Sequence, residues 1–398
     1  MRILVALTYY RPHISGLTLY VERLATLLAQ RGHAVTVLAS RHEPELPREE
    51  VVDGVRIRRV PVTMRIGKGV VMPTLGREAR RELRLHDVLS LHLPQLDASG
   101  LALNARLLRR PIVITYHCDL LLPAGALHRV AETAVRVSNH AAARLASSVV
   151  AYTDDYADHS PLLRAVRSKV VVIPPPVVMT PPTPSAVAEF RRAVAVDAGP
   201  TIGIATRLAT EKGVDVLVEA ARILSRRFPG LTVLFAGQHD DVPGEQNYRR
   251  RIDAAVASLG RQWRFLGPLD PVREMPAFFG AIDCLTVPSV NSTESFGLVQ
   301  VEAMLCGTPV VATDLPGVRQ PVRLTGMGEI VATADANALA AGLARVLDRR
   351  DGYVRPREEI TRLFDPARTA EAYEALFADV VEGAARGVSV AAAGGDAE

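Results

Sequence analysis

The chain has 398 residues, 48% of them hydrophobic and 23% charged, with 47 Lys+Arg against 43 Asp+Glu. That balance excludes wholesale disorder, and at about 100–200 residues per domain the length predicts two or three domains. Three cysteines without CxxC spacing exclude a disulfide framework and argue against a structural zinc site.

The first strand is predicted over residues 3–7. That stretch is too short for a signal-peptide core, and no run reaches the ~18 apolar residues of a membrane span. A cytoplasmic protein is expected, touching a membrane at most from its inner face. After the strand comes the loop Thr8-Tyr9-Tyr10-Arg11-Pro12-His13-Ile14-Ser15-Gly16. Gly16 lets a ligand approach the backbone where a helix begins. In that helix Leu17, Val21, Leu24, Leu27 and Leu28 keep helical spacing, and Gly32 ends it.

Further strands are predicted at 34–38, 88–91, 112–115 and 148–151. An apolar loop, residues 69–73, stands beside Arg77, Arg80, Arg81 and Arg84 at helical spacing. Such a face suits either solvent or an anionic membrane. His117 lies just past the strand at 112–115, where a ligand in an open α/β sheet would meet it.

Residues 174–184 hold six prolines in eleven positions, too many for a helix or inner strand. The charge changes across them: 24 basic against 15 acidic residues in 1–180, 23 against 28 in the remainder. Domains are therefore expected at 1–178 and 179–365, with a terminal helix over 366–386 and a fraying tail at 387–398. The basic first half would attract anions. It lacks aromatic interleaving or a recognition module, so nucleic acid is not expected as a partner.

The second half repeats the alternation, with strands at 201–205, 232–235, 284–287 and 309–312 and a helix over 213–226. Apolar strands alternating with helices imply parallel sheets covered on both faces, that is, two Rossmann-like α/β domains. No GxGxxG follows the first strand, so the dinucleotide signature is missing.

Two segments concentrate the chemistry. In the first, Glu294, Ser295, Phe296, Gly297 and Leu298 open a helix after the strand at 284–287, and Glu302 lies one turn inside. Backbone N–H groups at such a start form an anion site, and two carboxylates beside it suit sugar hydroxyls. In the second, Arg207 and Lys212 leave the strand at 201–205 just before a helix, where two cations would meet a diphosphate.

Together these residues resemble the family 4 retaining glycosyltransferases, which have the two-domain GT-B fold. Glu294 and Glu302 match that family's Glu-x7-Glu motif, and Arg207-x4-Lys212-Gly213 accompanies it. The resemblance implies two Rossmann-like parallel-sheet domains facing across a cleft, with the C-terminal helix crossing back to the first. It implies that Arg207 and Lys212 bind the donor diphosphate and Glu302 the ribose. Glu294, with Ser295 and the Phe296–Leu298 backbone, would hold the transferred sugar, and Phe265 would lie near the nucleobase. Gly16 and His117 would close the donor site from the acceptor-binding domain, so the catalytic set would be Arg207, Lys212, Glu294 and His117. Where the family carries Gly-Gly in its first loop, this chain has Ser15-Gly16.

The implied reaction moves a hexose from a nucleoside-diphosphate sugar to a hydroxyl of a glycan or lipid-linked acceptor, with retention. No metal or other cofactor is expected, since the chain has no Asp-x-Asp motif. Two other readings remain at this point: a sugar-nucleotide epimerase of the same fold, and a catalytically silent nucleotide-sugar-binding protein.

Overall fold

The computed structural model describes residues 1–66, 69–121, 126–196 and 199–393. They divide into two compact units, Met1–Pro176 with the stretch from Asp365 onward, and Val177–Phe364.

The first unit's strands are β1 (Arg2–Ala6), β2 (Ala34–Arg41), β3 (Glu49–Val52), β4 (Val55–Pro61), β5 (Met64–Ile66), β6 (Gly69–Val71), β7 (Val88–Leu93), β8 (Ile112–Tyr116), β9 (Ser148–Ala151) and β10 (Val170–Val172). Among the described residues eight of them form one sheet in the order β10-β9-β8-β7-β1-β2-β4-β3. Only β3, on the outer edge, runs antiparallel to its neighbour. The inner strands β7 and β8 are buried throughout, because parallel strands have helices on both faces.

Those helices are α1 (Gly16–Gln30), α2 (Leu75–Leu83), α3 (Ala98–Leu107), α4 (Ala126–Leu145), α5 (Asp154–His159) and α6 (Pro161–Ala165). One core layer joins α2, α3 and α4 to alternate residues of the sheet, including Leu4, Leu89, Leu91 and Ile114. Ser15 caps α1, its hydroxyl accepting from the Thr18 N–H, so the residue that replaces the family's first glycine fixes where the helix starts.

In the second unit, β11 (Thr201–Ala205), β12 (Thr232–Ala236), β13 (Trp263–Gly267), β14 (Cys284–Val287), β15 (Val310–Thr313) and β16 (Gly328–Val331) form a parallel sheet in the order β13-β12-β11-β14-β15-β16. It carries α7 (Pro184–Ala193), α8 (Val214–Ser225), α9 (Gln246–Val256), α10 (Met275–Ala281), α11 (Leu298–Leu305), α12 (Gln320–Thr325), α13 (Ala336–Asp348), α14 (Arg350–Tyr353) and α15 (Arg357–Leu363). Strand order reverses between β7 and β1 in the first sheet and between β11 and β14 in the second. Ligands of open α/β sheets bind outside the carboxyl ends of the strands at such reversals. The loops after β1, β11 and β14, which carry Gly16, Arg207 with Lys212, and Glu294, all leave from these points.

The last helix, α16 (Pro366–Ala393), belongs to the first unit and packs on α1. Its Tyr373 and Phe377 are fully buried. The tail expected to fray from residue 387 begins inside this helix, and residues 394–398 lie outside the described residues.

The apolar loop expected at 69–73 is not a free loop. Gly69–Val71 is β6, paired antiparallel with β5, and Val70 and Met72 are buried in the core. Their apolar area is already used by the fold. Arg77, Arg80, Arg81 and Arg84 are exposed on and just beyond α2, as their spacing predicts.

Candidate active site

The loop after β11 is pinned before it reaches its cations. The Thr206 and Leu208 N–H groups donate to Ala236 and Gln238 carbonyls at 2.9 and 2.7 Å, and Leu208 and Ala209 are buried. Arg207 stands between these anchors with 40% of its side chain exposed. A short 3-10 turn, Thr210–Lys212, follows, held by the Thr210 N–H and hydroxyl on the Glu245 carboxylate at 3.2 and 2.8 Å.

Gly213 then turns the chain into α8 with φ +63°, and a Cβ there would lie 2.0 Å from the Pro288 carbonyl oxygen. Glycine is needed for both reasons. The same close approach brings the loop after β14 alongside, where the Val290 N–H donates to the Glu211 carbonyl at 3.0 Å.

That second loop ends at Gly297, whose φ of +75° places it at the N-cap of α11 without a side-chain cap. Gln300, fully buried, donates its amide to the Phe296 and Val318 carbonyls at 2.7 and 2.9 Å, and its own N–H to Gly297. Among the described residues no carbonyl accepts from the N–H groups of Leu298 or Val299. These are the unsatisfied donors of a helix start, with the positive end of its dipole behind them.

Lys212 and Glu294 meet here, Nζ to Oε2 at 2.5 Å, each about one-fifth exposed. Arg207 pairs with Glu211 on its own loop. Ser295 and Phe296 are buried, Phe296 edge-on to Phe364 at 5.8 Å. Glu302 is also buried, only 5% exposed. It lies one turn into α11 beside Cys306, whose thiol is pushed up to about 12 by burial first and then by the Glu302 charge, against the opposing pull of Arg357.

Phe265, in β13, stacks on His239 with centroids 4.6 Å apart and planes 15° from parallel. The Arg249 guanidinium lies 4.7 Å from the Phe265 centroid. The second unit thus gathers Arg207, Lys212, Glu294 and Gly297 on the two loops of one reversal point, with Leu298 and Glu302 on the helix that follows and Phe265 two strands over.

Gly16 and His117 belong to the first unit. Gly16 is exposed, and a Cβ on it would meet no protein atom within 4 Å, so nothing in the protein itself demands glycine there. His117, just past β8, is 5% exposed. Its Nε2 meets His92 Nδ1 at 2.9 Å, its Nδ1 meets the Tyr152 hydroxyl, and His92 Nε2 reaches Ser90 Oγ at 3.3 Å. Both imidazole nitrogens therefore have protein partners, and burial together with the neighbouring imidazole holds His117 neutral, far below its ordinary pKa.

Sequence reasoning missed Glu211, Gln300 and His239. Glu211 stands four residues after Arg207, a spacing that could have flagged the pair. Gln300 and Glu302 are the two polar residues of a helix whose other six are apolar, which usually marks a buried hydrogen-bonding role. Nothing in the sequence announces that His239 stacks on Phe265.

Two parallel-sheet α/β units, the second with cationic loops at a strand reversal, have a GT-B architecture. The family model of glycosyl transferases group 1 matches residues 188–362, and that of the glycosyl transferase 4-like domain matches residues 15–176. A phosphatidyl-myo-inositol mannosyltransferase of Mycolicibacterium smegmatis is 29% identical over 92% of this chain and 90% of its own length. A D-inositol 3-phosphate glycosyltransferase of Actinosynnema mirum is 31% identical over 83% of each chain. Among solved structures, Anabaena Alr3699/HepE in complex with UDP has a TM-score of 0.76 at 20% identity, covering 95% of this chain and all of that one. Sucrose-phosphate synthase from Thermosynechococcus elongatus has a TM-score of 0.76 at 22% identity, covering 96% and 99%.

The chain belongs to the group 1, family 4-like glycosyl transferases, and it is a glycosyltransferase. These matches give no support to an epimerase or a silent binding protein.

Proposed function

We propose that the enzyme transfers a hexosyl group from a nucleoside-diphosphate hexose to a hydroxyl of a phosphorylated polyol, free or lipid-linked, with retention of anomeric configuration. The observation that carries this is the convergence of Arg207, Lys212 and the uncapped N-terminus of α11, with Glu294 beside them. Support for the acceptor class comes from the two relatives above, whose names both give an inositol phosphate, one on a lipid. A nucleoside-diphosphate donor accords with the UDP held by HepE.

In the proposed reaction the bond from the anomeric carbon to the diphosphate oxygen breaks while a bond to the acceptor oxygen forms on the same face. The departing phosphate oxygen takes the acceptor's proton, so no carboxylate nucleophile is required. Arg207, Lys212 and the α11 N–H groups stabilise the charge that develops on the leaving diphosphate. Glu294 accepts from hexose hydroxyls and Glu302 from the ribose. With this charge met by cations of the chain itself, the reaction as proposed calls for no metal. An imidazole hydrogen bond from His117 to a sugar would first displace His92 or Tyr152.

Lys212→Ala is expected to lower kcat by about 10²–10³, the usual loss of one such donor, with the thermal melt unchanged. Near-normal transfer by that variant would sink the mechanism.

A specific surface favours a second element of the proposal, docking on an anionic leaflet. Among the described residues no helix is long and apolar enough to cross a membrane. The adjacent helices α2, α3 and α4 cover one face of the first sheet. Arg77, Arg80, Arg81 and Arg84 line an open concavity of about 740 Å³ beside Asn104 of α3. Leu103 and Leu107 on α3, with Val130 and Val137 on α4, are exposed. Guanidinium groups on one helix and exposed aliphatic side chains on the helices packed beside it suit lipid headgroups over acyl chains. The enzyme should sediment with phosphatidylglycerol vesicles at low salt and less at high salt, and Arg80→Glu/Arg84→Glu should abolish it. Absence of sedimentation at every salt concentration would exclude the docking.

A further inference from the structure

Both cations assigned to the diphosphate are already engaged by carboxylates: Lys212 by Glu294 and Arg207 by Glu211. The two carboxylates differ in what becomes of them when a donor arrives. Glu294 stands at the mouth of α11, where hexose hydroxyls can replace the ammonium as its partner. Glu211 instead faces Arg207 from within the same loop.

Its backbone is tied on both sides. Its carbonyl accepts from the Val290 N–H, Thr210 before it is held on Glu245, and the Lys212 N–H after it donates to Ala209 at 2.9 Å. The Glu211 side chain is 15% exposed, while Arg207 is 40% exposed on a long, flexible stem. A diphosphate can draw the guanidinium outward only by parting it from that carboxylate.

We propose that Glu211 is an internal counter-ion that competes with the diphosphate for Arg207. It thereby weakens the grip on the nucleoside-diphosphate product and speeds its release. This rests on Arg207 being a diphosphate ligand, as the proposed function has it. The intact donor offsets the competition through its sugar contacts to Glu294, whereas the product, having lost its sugar, does not. Glu211 therefore shifts the balance between substrate and product affinity without touching either sugar.

The test is calorimetric titration of the full-length wild type and Glu211→Gln with UDP, GDP, ADP and pyrophosphate. Glutamine keeps the size and backbone ties of Glu211 and removes only its charge. Wherever the wild type binds, the variant is expected to bind about five- to tenfold more tightly. Its product-inhibition constant should fall by the same factor, and kcat should fall as release slows. In an Arg207→Ala background the substitution should change affinity less than twofold, since no guanidinium is left to liberate. Unchanged or weaker binding by Glu211→Gln would overturn the proposal and make Glu211 a holder of Arg207. If the wild type binds none of the four ligands, the diphosphate reading itself falls and takes this one with it.

Discussion

His92 and His117 are in contact and are both kept neutral by the interior of the first unit. Burial lowers His92 from its ordinary value of 6.5 to about 3, and His117 is lowered by burial and by His92 beside it. Protonating either would put a charge into a chain of neutral groups running from Ser90 through both imidazoles to Tyr152. The unfolded chain takes up these protons below about pH 6.5 and the folded chain does not. Stability from the pair is therefore fully present above pH 6.5 and is lost as the pH falls below it. Each histidine contributes a slope of about 1.4 kcal/mol per pH unit in that range. His42 and His86, also lowered by burial, act in the same sense. Urea unfolding at pH 7.5, 6.0 and 5.0 should show falling stability across a range where the carboxylates are still ionised. His92→Gln should flatten the slope, and a profile level between pH 7.5 and 5.0 would contradict the buried neutral pair.

Among the elements, legibility in the sequence depended on how completely a segment is enclosed. β1, β8, β9, β11 and β14 are enclosed by neighbours on both faces, so they are short apolar runs that the sequence displays openly. The β3–β4 hairpin was not legible. Its residues mix charges with aliphatics without strict alternation, and most of the charges are satisfied from outside the hairpin: Arg56, besides Glu49 across it, by Glu82, and Arg58 by Glu78 and Glu82. Nothing local shows that Glu82, on α2, is buried between two arginines of β4. The burial of Glu302 was hidden for a related reason, since a carboxylate on a helix is solvated by default. The clue lay in its setting, for α11 has apolar residues around most of its circumference, and a helix without a polar face is enclosed. The chemical residues were legible because their loops require glycine at fixed places, Gly213 and Gly297, next to charge. The Lys212–Glu294 ion pair was not, because it depends on two loops meeting at Pro288 and Val290.

At the scale of the whole molecule the chain returns to where it began. Residues beyond Asp365 complete the first unit, although the second lies between them in sequence. The Tyr373 hydroxyl meets the Tyr20 hydroxyl at 2.7 Å and Thr115 Oγ1 at 2.8 Å, joining α16 to α1 and β8. Around it, Glu374 pairs with Arg31 and His33, each at 2.7 Å, and Phe377 is fully buried. The first unit is thus built from two stretches separated in sequence by the second unit, and its stability depends on both. Tyr373→Ala removes a buried aromatic and should cost about 3–5 kcal/mol. Tyr373→Phe keeps the ring but leaves the Tyr20 and Thr115 hydroxyls short of a partner, for about 1–3 kcal/mol. Hydrogen exchange followed by mass spectrometry should localise the loss, with faster exchange in α1, β8 and α16 of the alanine variant and unchanged protection in β11, β12 and β14. Equal acceleration in both sheets would mean that the two units unfold as one cooperative body, and unchanged exchange in α1 would mean that the terminal helix is dispensable to the unit it completes.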